Sequence, residues 1–165
     1  MATATTSGTA KITLQGDRQF LITREFNAPK HLVYRAVTEP ELVKRWWNAK
    51  RGEVTVAEID LRVGGRWRYA MVTPDGSEVA FHGEYREIVP NERIVSTEIF
   101  EMPGLTDDDA STNTMTLKEH DGRTTMTVLV DHVAPEHRDA QLGSGMEAGM
   151  QDAYDLLEEV AVSLA

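Results

Sequence analysis

The stretch Arg66-Trp67-Arg68-Tyr69-Ala70-Met71, echoed by Phe81-His82-Gly83-Glu84-Tyr85-Arg86, alternates large apolar side chains with charged or polar ones. Period two is the mark of a β-strand with one buried and one solvated face. Trp67, Tyr69, Met71, Phe81 and Tyr85 therefore share one side of a sheet, while Arg66, Arg68, His82 and Glu84 share the other. Met115 with Leu117, and Met126 with Val128 and Val130, continue the apolar side, and His132 follows them in parity. A slip of one residue would reverse every assignment, so the pattern specifies the register.

Working outward from this stretch, strands are expected over 53–61, 66–73, 79–89, 93–102, 113–120 and 124–133. The breaks between them are short: Val63-Gly64-Gly65, Pro74-Asp75-Gly76, Pro90-Asn91, an acidic stretch over 103–111, and Asp121-Gly122. Parallel strands need long crossovers, so connections of this length predict an antiparallel meander. Upstream, two extended pieces flank Gln15-Gly16-Asp17. Asn27-Ala28-Pro29 then starts a short helix with Leu32, Val33, Ala36 and Val37 on one face. Thr38-Glu39-Pro40 breaks it, and Glu41 to Trp47 forms a second.

A sheet with one apolar face needs a cover. Leu142, Met146, Met150, Ala153, Tyr154, Leu157, Val160, Ala161 and Leu164 recur at helical spacing, predicting a long amphipathic helix over 141–164. Glu147, Asp152, Asp155 and Glu158 are read onto its other faces. Gly143, Gly145 and Gly149 weaken its first part, at about 1 kcal/mol each relative to alanine. The expected fold class is α+β: a curved antiparallel sheet of about six or seven strands wrapped around a long C-terminal helix, with two short helices near the N-terminus. Residues 1–10, small and polar, read as a frayed tail, and residues 11–165 as one domain.

Composition narrows the function. The chain has 165 residues, 41% hydrophobic and 27% charged, with a net charge of −10. That acidity disfavours nucleic acid and anionic membrane surfaces as partners. There is no cysteine, which removes thiolate ligands, disulfides and a cysteine nucleophile. No secretory signal or transmembrane run is visible, so a cytoplasmic location is expected.

The candidate binding residues lie where a strongly twisted sheet and a straight helix part company. They are Trp67, Tyr69, Met71, Phe81, Tyr85, Met115, Met126 and Val128 on the sheet, facing Met146, Met150 and Tyr154 on the helix. Without further information these residues read equally as ordinary core. Trp46-Trp47 lies among Lys44, Arg45, Lys50 and Arg51, and Trp47 is the indole expected at the mouth of such a space. His132 is the one histidine placed to act as a polar anchor, with the phenols of Tyr69 and Tyr85. His31, His82, His120, His132 and His137 lack metal-ligand spacing, so no metal is expected. Glu58, Asp60, Glu98 and Asp131 would support acid–base chemistry only if two of them converged. Gly64-Gly65 precedes a strand, not a helix, and reads as a tight turn rather than a phosphate loop.

Several motifs occur in a telling order: Ile22-Thr23-Arg24-Glu25-Phe26-Asn27-Ala28-Pro29, Pro40-Glu41-Leu42-Val43-Lys44-Arg45-Trp46-Trp47, Val63-Gly64-Gly65-Arg66-Trp67-Arg68-Tyr69, Gly83-Glu84-Tyr85-Arg86-Glu87-Ile88-Val89-Pro90 and Gly145-Met146-Glu147-Ala148-Gly149-Met150. With them the chain resembles the START/birch-pollen-allergen (SRPBCC) superfamily, in the branch named after the activator of the heat-shock protein 90 ATPase. The resemblance implies a helix-grip fold with an internal cavity. It leaves function open, because the superfamily holds carriers, cyclases and co-chaperones. The expected function is a binding protein for a small apolar, lipid-like or aromatic molecule, with no cofactor. A cyclase or hydrolase using the same space is one alternative, and a co-chaperone with a chaperone partner is another.

Overall fold

The computed structural model describes residues 9–165. The expected tail thus falls mostly outside the described residues. Ala10, at its end, is buried, and the Gln151 side chain holds both of its backbone groups, at 2.9 and 2.8 Å.

The strands are β1 (Lys11–Gln15), β2 (Gln19–Phe26), β3 (Glu53–Ile59), β4 (Arg66–Val72), β5 (Glu78–Val89), β6 (Arg93–Phe100), β7 (Ser111–His120) and β8 (Arg123–Asp131). They form one antiparallel sheet of eight strands in the order β1-β2-β8-β7-β6-β5-β4-β3. The N-terminal hairpin supplies the strands beyond the six of the meander by pairing with β8.

Register confirms the sidedness expected from alternation. Tyr69 lies opposite Phe81 and Arg68 opposite His82. Following cross-strand partners from Tyr85 leads to Ser96, Asn113, Val130 and Phe20, so all of these face inward. Gly83 holds an inward position and has a packing reason. A Cβ there would meet the Thr97 carbonyl oxygen at 1.8 Å and Trp67 Nε1 at 2.6 Å. Lacking one, the Trp67 indole lies across β5 and donates to that carbonyl at 3.1 Å.

The helices are α1 (Lys30–Thr38), α2 (Pro40–Val43), α3 (Pro135–Gly143) and α4 (Met146–Ser163). Two expectations are corrected here. The second short helix stops at Val43 rather than Trp47, because the chain must reverse into β3. Ala49 and Lys50 adopt left-handed φ angles of 52° and 62° to do so, and Asn48 Nδ2 donates to the Gly52 carbonyl at 2.7 Å. The expected helix over 141–164 is two helices. Gly145, at φ 81°, breaks it in a conformation that costs glycine little.

The core has a solid half and a looser half. Leu157, Val160 and Ala161 of α4 pack on Leu32, Val33 and Ala36 of α1, with Phe26, Val43 and Trp46 beside them, all buried. Trp46 Nε1 donates to the Ala36 carbonyl at 2.8 Å. Toward its N-terminus α4 buries only Met150 before Ala153.

Glu158 overturns its assignment to an outer helical face: it is 0% exposed. It meets Arg24, an inward-facing residue of β2 that is 1% exposed, at 3.1 Å. Asp155 holds the same guanidinium at 3.0 Å, and the Asn27 N–H donates to Glu158 Oε2 at 2.6 Å. This ion cluster ties α4 to the sheet.

Candidate functional site

Four aromatic residues meet at the β4–β5 end of the inner face. Trp47 packs edge-on against Tyr69 and Phe81 at centroid distances of 5.6 and 6.0 Å, and Trp67 lies 4.7 Å from Tyr69. Phe100, 38% exposed, extends the group through Phe81 at 5.0 Å. The loop after α2 aims the Trp47 indole over the sheet, as its position after Trp46 requires. The neighbouring basic residues take surface partners instead: Lys44 meets Glu41 and Arg51 meets Asp152.

The other sequence-predicted residues divide. Met115, Val128 and Tyr154 are half-buried against the main core, with Tyr154 edge-on to Phe26, whereas Tyr85 and Met126 are packed to 4% and 2% exposure as true core. Met71 is half-buried near the end of β4. His132, Met146 and Met150 lie apart from the aromatic group, toward Phe20, Ile22 and Ala10. His132 Nε2 sits 2.6 Å from Gln141 Oε1, and its buried Nδ1 has no partner. Burial holds its pKa below the ordinary value, against the opposing bond to Gln141.

Of the four carboxylates singled out, Glu98 alone faces inward. It shares the parity of Ser96 and Phe100, the partners of Tyr85 and Phe81. Glu58 pairs with outward-facing Arg68, Asp60 binds Arg62, and Asp131 takes the outward parity. Asn113 Nδ2 donates to Glu98 Oε1 at 3.3 Å, and Ser111 Oγ donates to Asn113 Oδ1 at 2.9 Å. Burial raises the Glu98 pKa, with the Asn113 bond opposing it. Burial also raises Tyr69 and Tyr154, and both feel the Glu98 charge. Yet Tyr69, Glu98 and Tyr154 each keep accessible surface. Sequence reasoning missed Asn113 and Ser111. Their shared parity with Met115 was the signal that could have found them.

The outer face has a groove of about 360 Å³ lined by Glu58, Arg66, Trp67, Arg68, His82 and Glu101. Most of its charges are already paired. Arg68 grips Glu101 with two bonds of 2.8 and 2.9 Å, and His82 bridges Glu101 at 2.8 Å and Asp107 at 2.6 Å. Glu101 is held down to about 2, first by Arg68 and then by His82. Among the described residues no group of histidine and carboxylate side chains is arranged to hold a metal ion, and no helix is long and apolar enough to cross a membrane.

Solved structures share this architecture. A Mycobacterium smegmatis protein is 27% identical with a TM-score of 0.82, over 93% of this chain and 96% of its own. A Nitrosomonas europaea protein is 25% identical with a TM-score of 0.79, over 92% and 98%. A Rhodobacter sphaeroides protein at 24% identity shows the same fold with a TM-score of 0.86, over 94% and 99%. No curated protein matches the sequence. A family model described as activator of Hsp90 ATPase homolog 1-like protein matches residues 27–161, most of the chain, and the chain belongs to that family, within the SRPBCC superfamily.

Proposed function

We propose that this protein holds a small apolar or aromatic molecule between the β4–β7 part of the inner face and the N-terminal half of α4. One observation carries the reading. Tyr69, Glu98 and Tyr154 are surrounded by protein closely enough for burial to raise their pKa values, yet all three retain accessible surface. Partial accessibility at a desolvated position is what the wall of a cleft would show. The cleft is lined by aromatic rings and methionines, and apolar burial yields about 25 cal/mol per Å² of ligand surface covered. The acid–base alternative read from the sequence requires a second carboxylate beside Glu98, and Glu58, Asp60 and Asp131 are directed elsewhere.

Methionine methyl signals test the location. Adding 1-octanol to protein labelled at the methionine methyls is expected to shift Met71 and Met115 on the sheet. Saturable shifts at neither would overturn the reading.

A further inference from the structure

Glu98 is the one feature of the inner site that simple apolar binding leaves unexplained. A carboxylate placed among aromatic rings is costly unless something neutralises or pairs it. Its single hydrogen bond is from Asn113 to Oε1, whose own carbonyl is occupied by Ser111. Among the described residues no cation lies within ion-pair distance of it. Arg24, which also faces inward, is committed to Glu158 and Asp155. The groups that feel the Glu98 charge or bond to the residue are Tyr69 of β4, Tyr154 of α4, and Asn113 and Ser111 of β7. None of them brings a positive charge.

We propose that the ligand of this site is an apolar amine, whose ammonium pairs with Glu98 while Tyr69 and Tyr154 face the cation and the aromatic cluster takes its hydrocarbon body. The proposal rests on the ligand-holding reading above and adds the ligand's chemical class. An ammonium supplies the charge missing beside Glu98 and is attracted to aromatic faces. A carboxylic acid of the same shape would place a like charge against Glu98, and an alcohol would leave the carboxylate without a cation. Binding also requires Glu98 ionised, and burial has already made that harder. Amine affinity therefore falls as pH drops through the raised Glu98 pKa, while alcohol affinity does not.

Calorimetric titration with 1-octylamine, 1-octanol and octanoate, which share one hydrocarbon body, tests this. The wild-type protein is expected to bind octylamine about tenfold more tightly than octanol, and octanoate most weakly. Glu98→Gln should erase the octylamine advantage and its pH dependence, with octanol affinity unchanged within about threefold and melting temperature undiminished. Glu58→Gln, on the outer face, removes the same formal charge and should leave octylamine binding intact. Octanol binding as tightly as octylamine, or Glu98→Gln leaving octylamine affinity unchanged, would overturn the amine assignment while the ligand-holding site stands. Failure of all three compounds to bind would overturn both.

Discussion

Arg24 and Glu158 form an ion pair in the middle of the protein, both effectively inaccessible, with Asp155 as the only exposed member of the group. Such a pair stabilises only while intact, because removing one partner leaves a buried charge uncompensated. Glu158→Met is therefore expected to cost about 3–5 kcal/mol in denaturant unfolding, and Arg24→Met/Glu158→Met to recover about half of that. A loss below about 1 kcal/mol for the single variant would place the pair in the surface-like class and contradict this account. Position 158 lies four residues after Tyr154 of the apolar stripe, yet the sequence reads it onto another face. Its residue type argued for that face, and the pairing with Arg24, 134 positions distant, has no local trace. The same blindness applies to Glu98. Its parity is legible from the alternation of β6, but its bond to Asn113 and the lack of a cation beside it are properties of the folded arrangement.

At the scale of elements, the acidic loop between β6 and β7 is held against the outer face by side chains that alternation had already placed there. His82 of β5 reaches Glu101 with Nδ1 and Asp107 with Nε2, and Arg66 adds a bond to Asp107 at 3.4 Å. Burial pulls the His82 pKa down, but its bonds to Asp107 and Glu101 outweigh that and leave it raised above 6.5. Only the imidazolium can donate to both carboxylates at once. A raised histidine contributes stability that is fully present below about 6.5 and is lost as pH rises through the folded-state pKa. Hydrogen exchange over 106–110, corrected for intrinsic rates, is thus expected to lose protection as pH rises through the raised His82 pKa, and His82→Gln should remove that dependence. Protection that stays flat with pH in the unsubstituted protein would show that the loop is held by other contacts. Sidedness was readable because a two-residue period is a strictly local signal, and the meander was readable from its short turns, whereas the pairing of the N-terminal hairpin with β8 left no local trace. The helix boundaries were only partly legible. Gly145 marked the weakness between α3 and α4, whereas the stop of α2 depends on left-handed Ala49 and Lys50, residues whose types do not advertise that conformation.

At the scale of the whole molecule, the inner face of the described sheet is packed to uneven depth. The C-terminal half of α4, α1 and β2 make a well-packed core. Tyr69, Met115, Val128 and Tyr154 are only half-buried against that core. This division also explains why the sequence left the inner face open between pocket and core, since side chains of one parity are buried to different depths there. Tyr85 and Met126 point inward like Met115 but have no space beside them. The central claim is that the open part of this face is a preformed binding site, and filling it tests that claim most directly. Met115→Trp adds bulk at a half-buried inner position opposite Val128. Titration of an apolar fluorescent probe, with melting temperature measured in parallel, should show affinity falling about tenfold or more while stability changes by less than about 1 kcal/mol, because a cleft accepts the ring that a packed core would not. A substitution that instead costs about 1–3 kcal/mol, in a protein whose unsubstituted form binds no probe, would contradict the account and make the inner face a solid core.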